Sequence, residues 1–203
     1  VSGKLLVATR NLGKLAEIAA ALADLGLELV GLDSFPEVAD VVEDRESFEQ
    51  NALKKAREVA AATGRVSLAD DSGLEVEALG GAPGVRSARF AGPGATDAAN
   101  NQRLLAELAA VAGEERGAAF RCVLAICRPD GLCRTCQGEL RGHISREPRG
   151  TYGFGYDPLF VPEGYSQTIS ELGPEVKARV SHRARALAEL RKVLPEFFGN
   201  IGR

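Results

Sequence analysis

The stretch Lys4–Leu32, KLLVATRNLGKLAEIAAALADLGLELVGL, sets a short apolar run, a polar loop, a helical period and a second apolar run in succession. KLLVA (Lys4–Ala8) predicts a buried strand. Beyond the TRNLGK loop, Leu15, Ile18, Ala19 and Leu22 recur at helical spacing, and Gly26 supplies the stop. LELVGL then returns as a second strand. Strand, helix and strand in that order are most economically a right-handed parallel crossover.

Downstream, the polar segment from Glu37 to Glu46 lacks periodicity. SFEQ (Ser47–Gln50) has the spacing of a capping box, and Phe48, Leu53, Ala56 and Ala60 continue down one helical face to Gly64. VSLA, a DDSG turn and an alternating LEVEAL strand are expected next, followed by tight punctuation at GGAPG (Gly80–Gly84). Asp97 is placed to cap a helix running through Val111. AAFRCVLAIC and CRTCQGELRG read as the two strands of a long hairpin turning at RPDG. GTYGFGYDPLFVP is a glycine-rich loop feeding a short strand, and the last helix covers about Ser181–Leu194. Interleaved elements early and hairpin strands in the middle predict α/β with a mixed sheet.

The 203 residues are 45% hydrophobic and 26% charged, the balance of a globular chain with a sizeable core. No apolar run approaches a membrane span, and no secretory signal is visible, so the expected location is the cytoplasm. The net charge of −3 argues against broad binding to nucleic acid or an acidic membrane. Basic residues gather in KARVSHRARALAELRK (Lys177–Lys192), which reads as a solvated helix face or as a site for a compact anion. Cys122, Cys127, Cys133 and Cys136 have no histidine joining them, and each pair within a strand is an odd number of positions apart, on opposite faces. Ordinary packed thiols are expected rather than a zinc site or a redox pair.

Three features point to chemistry. ATRNLGK (Ala8–Lys14) offers a hydroxyl, amides and an ammonium at a helix start, though simple capping uses the same residues. SLADDSGLEV (Ser67–Val76) places two like charges, Asp70 and Asp71, side by side. A surface turn tolerates that; a bound cation requires it. VSHRARAL carries His182 and Arg183 at a helix start.

TRNLGK, ADDSGLEVEALGGAPGVRSARF, GTYGFGYDPLF and VSHRARAL, in that order from Leu5 to about Leu190, closely resemble the inosine/xanthosine triphosphate pyrophosphatase family. The resemblance implies an elongated mixed β-sheet with flanking helices, two lobes around a central cleft, residues 1–203 forming a single two-lobed domain, and a homodimer. It implies hydrolysis of non-standard purine nucleoside triphosphates to the monophosphate and pyrophosphate, with Mg²⁺ as cofactor and no nucleic-acid or membrane partner. Asp71 then accepts the proton of the attacking water, and Glu43, Asp70 and Asp71 hold the metal, with Glu17 a further acidic candidate. Thr9, Arg10, Asn11, Leu12, Gly13, Lys14 and Ser72 are implied for the polyphosphate. Phe154, Gly155, Tyr156, Asp157, Lys177, His182 and Arg183 are implied for the nucleoside, Phe154 by stacking and His182 and Arg183 as donors to a 6-oxo group. The sequence departs from the family's usual loop at Arg10, where glycine is common, and has Gln50 in a place often acidic. Rival readings are a triphosphate pyrophosphatase for pyrimidine or modified nucleotides and a module that senses nucleotides without cleaving them.

Overall fold

The computed structural model describes residues 3–198, so both ends of the expected 1–203 domain lie outside the described residues. Six strands and five principal helices alternate: β1 (Lys4–Val7), α1 (Leu12–Leu22), β2 (Glu28–Gly31), α2 (Phe48–Thr63), β3 (Ser67–Val76), α3 (Asp97–Glu107), β4 (Gly117–Cys127), β5 (Cys133–Ile144), β6 (Phe160–Pro162), α4 (Ile169–Val180) and α5 (His182–Val193). The sheet order is β2-β1-β3-β4-β5-β6. β1 runs parallel to β2 and to β3, whereas β6 runs antiparallel to β5, so the sheet is mixed as expected. Helix α2 stops at Gly64 (φ 65°), and α1 is followed by a 3₁₀ turn, Ala23–Leu25, that Gly26 (φ 66°) ends; both glycines take a left-handed conformation that a side chain resists.

The chain divides into two compact units. The first comprises the residues up to Asp71, Cys122–Gly138 and those from Arg183 onward. Its core joins Leu5 and Val7 of β1, Ile18 and Leu22 of α1, Leu124 and Ile126 of β4, and Leu187 and Leu190 of α5. The second comprises Ser72–Arg121 and Glu139–His182. Leu74, Leu104, Phe120, Leu140, Tyr156, Phe160 and Ile169 lie in its core.

Gly142 shows how closely the second core is packed. A Cβ there would lie 2.2 Å from the Val161 carbonyl oxygen and 2.8 Å from the Phe160 ring. Gly142→Ala is therefore expected to cost about 1–3 kcal/mol, the usual penalty for overpacking, seen as a lower urea midpoint.

Four expectations are corrected. Asp70–Asp71–Ser72–Gly73 is no turn: β3 runs unbroken from Ser67 to Val76, and Asp70 finds cationic partners where it lies. Thr96 rather than Asp97 caps α3, accepting a hydrogen bond from Ala99 N, and the helix ends at Glu107. Helix α4 was not foreseen. Thr168 and Glu171 form a full capping box at its start, but Gly173 (φ 79°) and Pro174 interrupt the period that would announce it. Finally, Cys127 and Cys133 form a disulfide where the hairpin turns, between the end of β4 and the start of β5, while Cys122 and Cys136 are buried thiols. Pairing operates between the hairpin strands; the parity argument considered only positions within one strand.

Candidate functional site

Each unit holds one buried polar constellation. In the first it starts from β3, whose pleat sends adjacent side chains to opposite faces. Asp70 Oδ2 accepts from Arg183 Nε at 2.8 Å, and Oδ1 pairs with Lys14 Nζ at 2.5 Å. The Cys122 thiol donates to Oδ2 at 3.2 Å. Lys14 and Glu17, three positions apart on α1, share a helix face. Arg183, at the start of α5 and 2% exposed, pairs with Glu17 as well, Nη1 to Oε2 at 2.5 Å. Burial alone would raise the Asp70 proton affinity, yet the Arg183 and Lys14 charges outweigh it and hold the carboxyl well below the usual range. Desolvation works against the Arg183 charge in turn, and Asp70 and Glu17 overcome it.

Asp71 meets different surroundings. Burial, and then the neighbouring Glu43 charge, push its pKa up to about 6, against the pull of Lys55, Lys14 and a hydrogen bond with Asn51. Its Oδ2 is buried with no hydrogen-bond partner among the described residues. Helix α2 organises this side. Asn51 accepts from Arg45 N at 2.9 Å, Lys54 donates to the Val42 carbonyl at 2.7 Å, and Lys55 pairs with Glu43 while donating to the Asp70 carbonyl at 3.0 Å. The aperiodic segment before α2 is thereby tied to that helix, which is how Glu43 reaches Asp71.

The loop before α1 is largely self-organised. Thr9 Oγ1 accepts from Asn11 N at 3.1 Å, and Asn11 Oδ1 caps the helix by accepting from Lys14 N at 2.9 Å. Gly13 lies in the first turn, and Leu12 is 72% exposed. Arg10, expected at the polyphosphate, instead directs its guanidinium to Asp33 at 3.1 Å and Asp40 at 2.8 Å.

The second unit's constellation centres on Asp157. Its Oδ2 accepts from Lys177 Nζ at 2.6 Å and from Phe154 N at 3.0 Å, both carboxylate and ammonium being buried. Lys177 Nζ also sits 4.1 Å from the centre of the Phe154 ring, a cation–π contact. Asp97 accepts from Gly155 N at 2.6 Å, and Asn101 donates to the Gly155 carbonyl at 3.0 Å. His182 stacks on Phe120, ring centres 4.7 Å apart and 11° from parallel. Ser72, half-buried on β3, belongs to this unit.

Three of the expected nucleoside-site residues are engaged within the protein. Tyr156 lies in the core, and its hydroxyl donates to the Ser87 carbonyl at 2.8 Å. Asp157 braces its own loop through Lys177 and Phe154 N. Arg183, expected to inspect a base, commits Nε, Nη1 and Nη2 to the carboxylates of Asp70 and Glu17.

The metal expectation divides similarly. Asp70 has both oxygens engaged by cations. Among the described residues no three His, Cys, Asp or Glu side chains are grouped for a metal. Glu43 and Asp71 nevertheless fit a hard divalent cation. They are two mutually repelling oxygen donors, one with an orphaned buried oxygen, and such an ion takes its remaining ligands from water and phosphate.

Sequence reading missed Asn51 and Lys55. The signal was available: both are polar at positions i and i+4 of a helix whose neighbouring Ala52, Ala56 and Val59 are core.

Comparison with known proteins places these features in a family. The profile of the Ham1 family matches residues 5–193. A dITP/XTP pyrophosphatase of Geobacter sulfurreducens is 56% identical over 188 residues, covering 93% of this chain and 94% of that protein. A dITP/XTP pyrophosphatase of Streptomyces avermitilis is 48% identical over 198 residues, covering 97% and 99%. The structure of a HAM1 protein from Coxiella burnetii superimposes with a TM-score of 0.87 at 42% identity, covering 96% of this chain and 99% of that one.

Proposed function

The chain belongs to the Ham1 family, and from that premise we propose that it is a nucleoside triphosphate pyrophosphohydrolase. It cleaves non-standard purine nucleotides such as ITP, dITP and XTP into the monophosphate and pyrophosphate, which keeps deaminated purines out of nucleic acid. The observation that carries this chemistry is Asp71: a buried carboxylate beside Glu43, with an orphaned oxygen and a pKa pushed up to about 6. A base of that strength suits proton abstraction near neutral pH.

Glu43 and Asp71 are the residues assigned to hold Mg²⁺. When bound, the ion supplies charge neutralisation of the polyphosphate and eases deprotonation of water. Asp71 orients the water and accepts its proton as the water attacks the α-phosphorus. Lys14 and Lys55 act as point charges toward the phosphates. Thr9 and Asn11 hold the loop leading into α1, whose first turn carries Lys14, and Ser72 is assigned a further phosphate contact. Asp70, Arg183 and Glu17 set the position of Lys14 rather than touching the metal.

Recognition of the base is assigned to the second unit. Phe154 offers a ring face, and Lys177 and His182 supply donor character. A 6-oxo purine satisfies donors that adenine's amino group leaves unpaired, and a site built on buried donors rejects such a mismatch strongly. No nucleic-acid partner is proposed. A cytoplasmic homodimer goes with this reading; among the described residues no helix is long and apolar enough to cross a membrane.

The test is a steady-state panel of ITP, dITP, XTP and ATP with Mg²⁺, following pyrophosphate and orthophosphate separately. Pyrophosphate is expected from the first three, with kcat/KM for ATP lower by about a hundredfold or more. Release of orthophosphate, or equal use of ATP, overturns the assignment.

A further inference from the structure

Away from both constellations, the second unit has a cavity of about 410 Å³ lined by Arg116, His143, Ser145, Arg146, Glu147 and Arg149, among others. Arg116 is 3% exposed. Its guanidinium donates to three main-chain carbonyls, those of Leu108 at 2.7 Å, Ile144 at 2.9 Å and Ser145 at 2.9 Å. Among the described residues no carboxylate pairs with it, and the Arg146 charge adds to desolvation in lowering its proton affinity. Arg149 leans toward Glu171, Nε to Oε2 at 3.7 Å, which offsets part of one charge. Three arginines therefore face one lining carboxylate, Glu147.

Stapling the end of α3 to β5 accounts for the three carbonyl contacts but leaves the charge itself without a counter-ion among the described residues. A full charge taken out of water beside a second guanidinium is costly unless something negative meets it. Guanidinium has five N–H donors, of which Arg116 spends three on carbonyls, and its fork matches tetrahedral oxyanions.

We propose that this cavity is a binding site for a compact oxyanion of the phosphate class, held by Arg116 and Arg146. The site is separate from the nucleotide chemistry above and does not depend on it. The anion arrives either free or as the phosphate of a nucleotide, and the two sources are separable by experiment.

Amide chemical shifts of the intact protein are followed during titration with inorganic phosphate, pyrophosphate and IMP at constant ionic strength. Saturable shifts are expected at Gly113, Ser145 and Arg146. Arg146→Glu, a change at an exposed position, weakens them about tenfold or more, the scale of one charge-assisted hydrogen bond. Arg116→Lys, which keeps the charge and loses the fork, weakens them too while the rest of the spectrum is preserved. Saturation by inorganic phosphate or pyrophosphate identifies a free anion; saturation by IMP alone identifies a nucleotide source. Shifts confined to Thr9–Lys14 report the candidate nucleotide site instead and overturn this one. So do non-saturating shifts at the cavity, or equal affinity in Arg146→Glu.

Discussion

Asp71→Asn is expected to stop turnover and, in metal-free buffer at pH 7, to make the protein more stable. The loss of rate should be about 10²–10⁴-fold, the range for a missing general base. The gain in stability follows from the shifted titration. A carboxyl whose pKa rises from 3.8 unfolded to about 6 folded prefers to be protonated in the native state. Its ionisation therefore leaves stability intact below pH 3.8 and erodes it as pH climbs through 6. By neutral pH the penalty is about 3 kcal/mol, at 1.36 kcal/mol per unit. Asparagine never ionises, so the variant should show a higher urea midpoint at pH 7 and little difference at pH 4. Added Mg²⁺ should narrow the gap by stabilising the wild type alone. Near-normal turnover removes Asp71 from the mechanism, and a variant less stable at pH 7 contradicts its burial as a strained charge.

Arg183→Leu is expected to be among the most destabilising single changes in the first unit. It leaves the Asp70 carboxylate fully buried with Lys14 as its remaining ion-pair partner, and breaking one side of a buried pair typically costs about 3–5 kcal/mol. The double variant Arg183→Leu/Asp70→Leu should recover a large part of that loss, since apolar replacement of a whole pair is often close to neutral. Acid should act on this network in the opposite sense from Asp71. Asp70 is held well below 3.8, so its contribution is complete above that value and is lost as pH falls through the lower folded one. Denaturant titrations at pH 7 and pH 3 measure both effects. A loss under 1 kcal/mol for the single variant, or no recovery in the double, shows that Arg183 is not held by Asp70 as described.

Much of the fold was legible because its signals are local. The run from Lys4 to Leu32 carried apolar period, cap and glycine stop in agreement, and β1, α1 and β2 followed. SFEQ likewise announced α2. Where the reading failed, distant contacts decided. The turn preference of Asp-Asp-Ser-Gly lost to ion pairs from α1 and α5, residues far away in sequence. Helix α4 kept its capping box but lost its period to Gly173 and Pro174. The Cys127–Cys133 bond depended on strand register that spacing within one strand does not reveal.

Candidate site residues were legible mainly as residue types. Asp71, Glu43 and Lys14 stood out through a resemblance spanning four motifs. Which carboxylate met which cation was invisible, because that depends on facing surfaces. Arg10 was drawn to Asp33 and Asp40, and Tyr156 to the core, by partners no local pattern named. Lys55 and Asn51 could have been found as polar intrusions on the buried stripe of α2.

Parity along β3 decides the sign of a substitution. Even at position 70, a carboxylate is an asset held by guanidinium and ammonium; one step on, at 71, the same group is a liability that a cation must relieve. The extended backbone works as an electrical partition, giving neighbouring codons two unlike media within one residue's rise. Identical side chains in this strand are therefore not interchangeable parts, and exchanging their surroundings would invert which of them resists acid and which invites a metal.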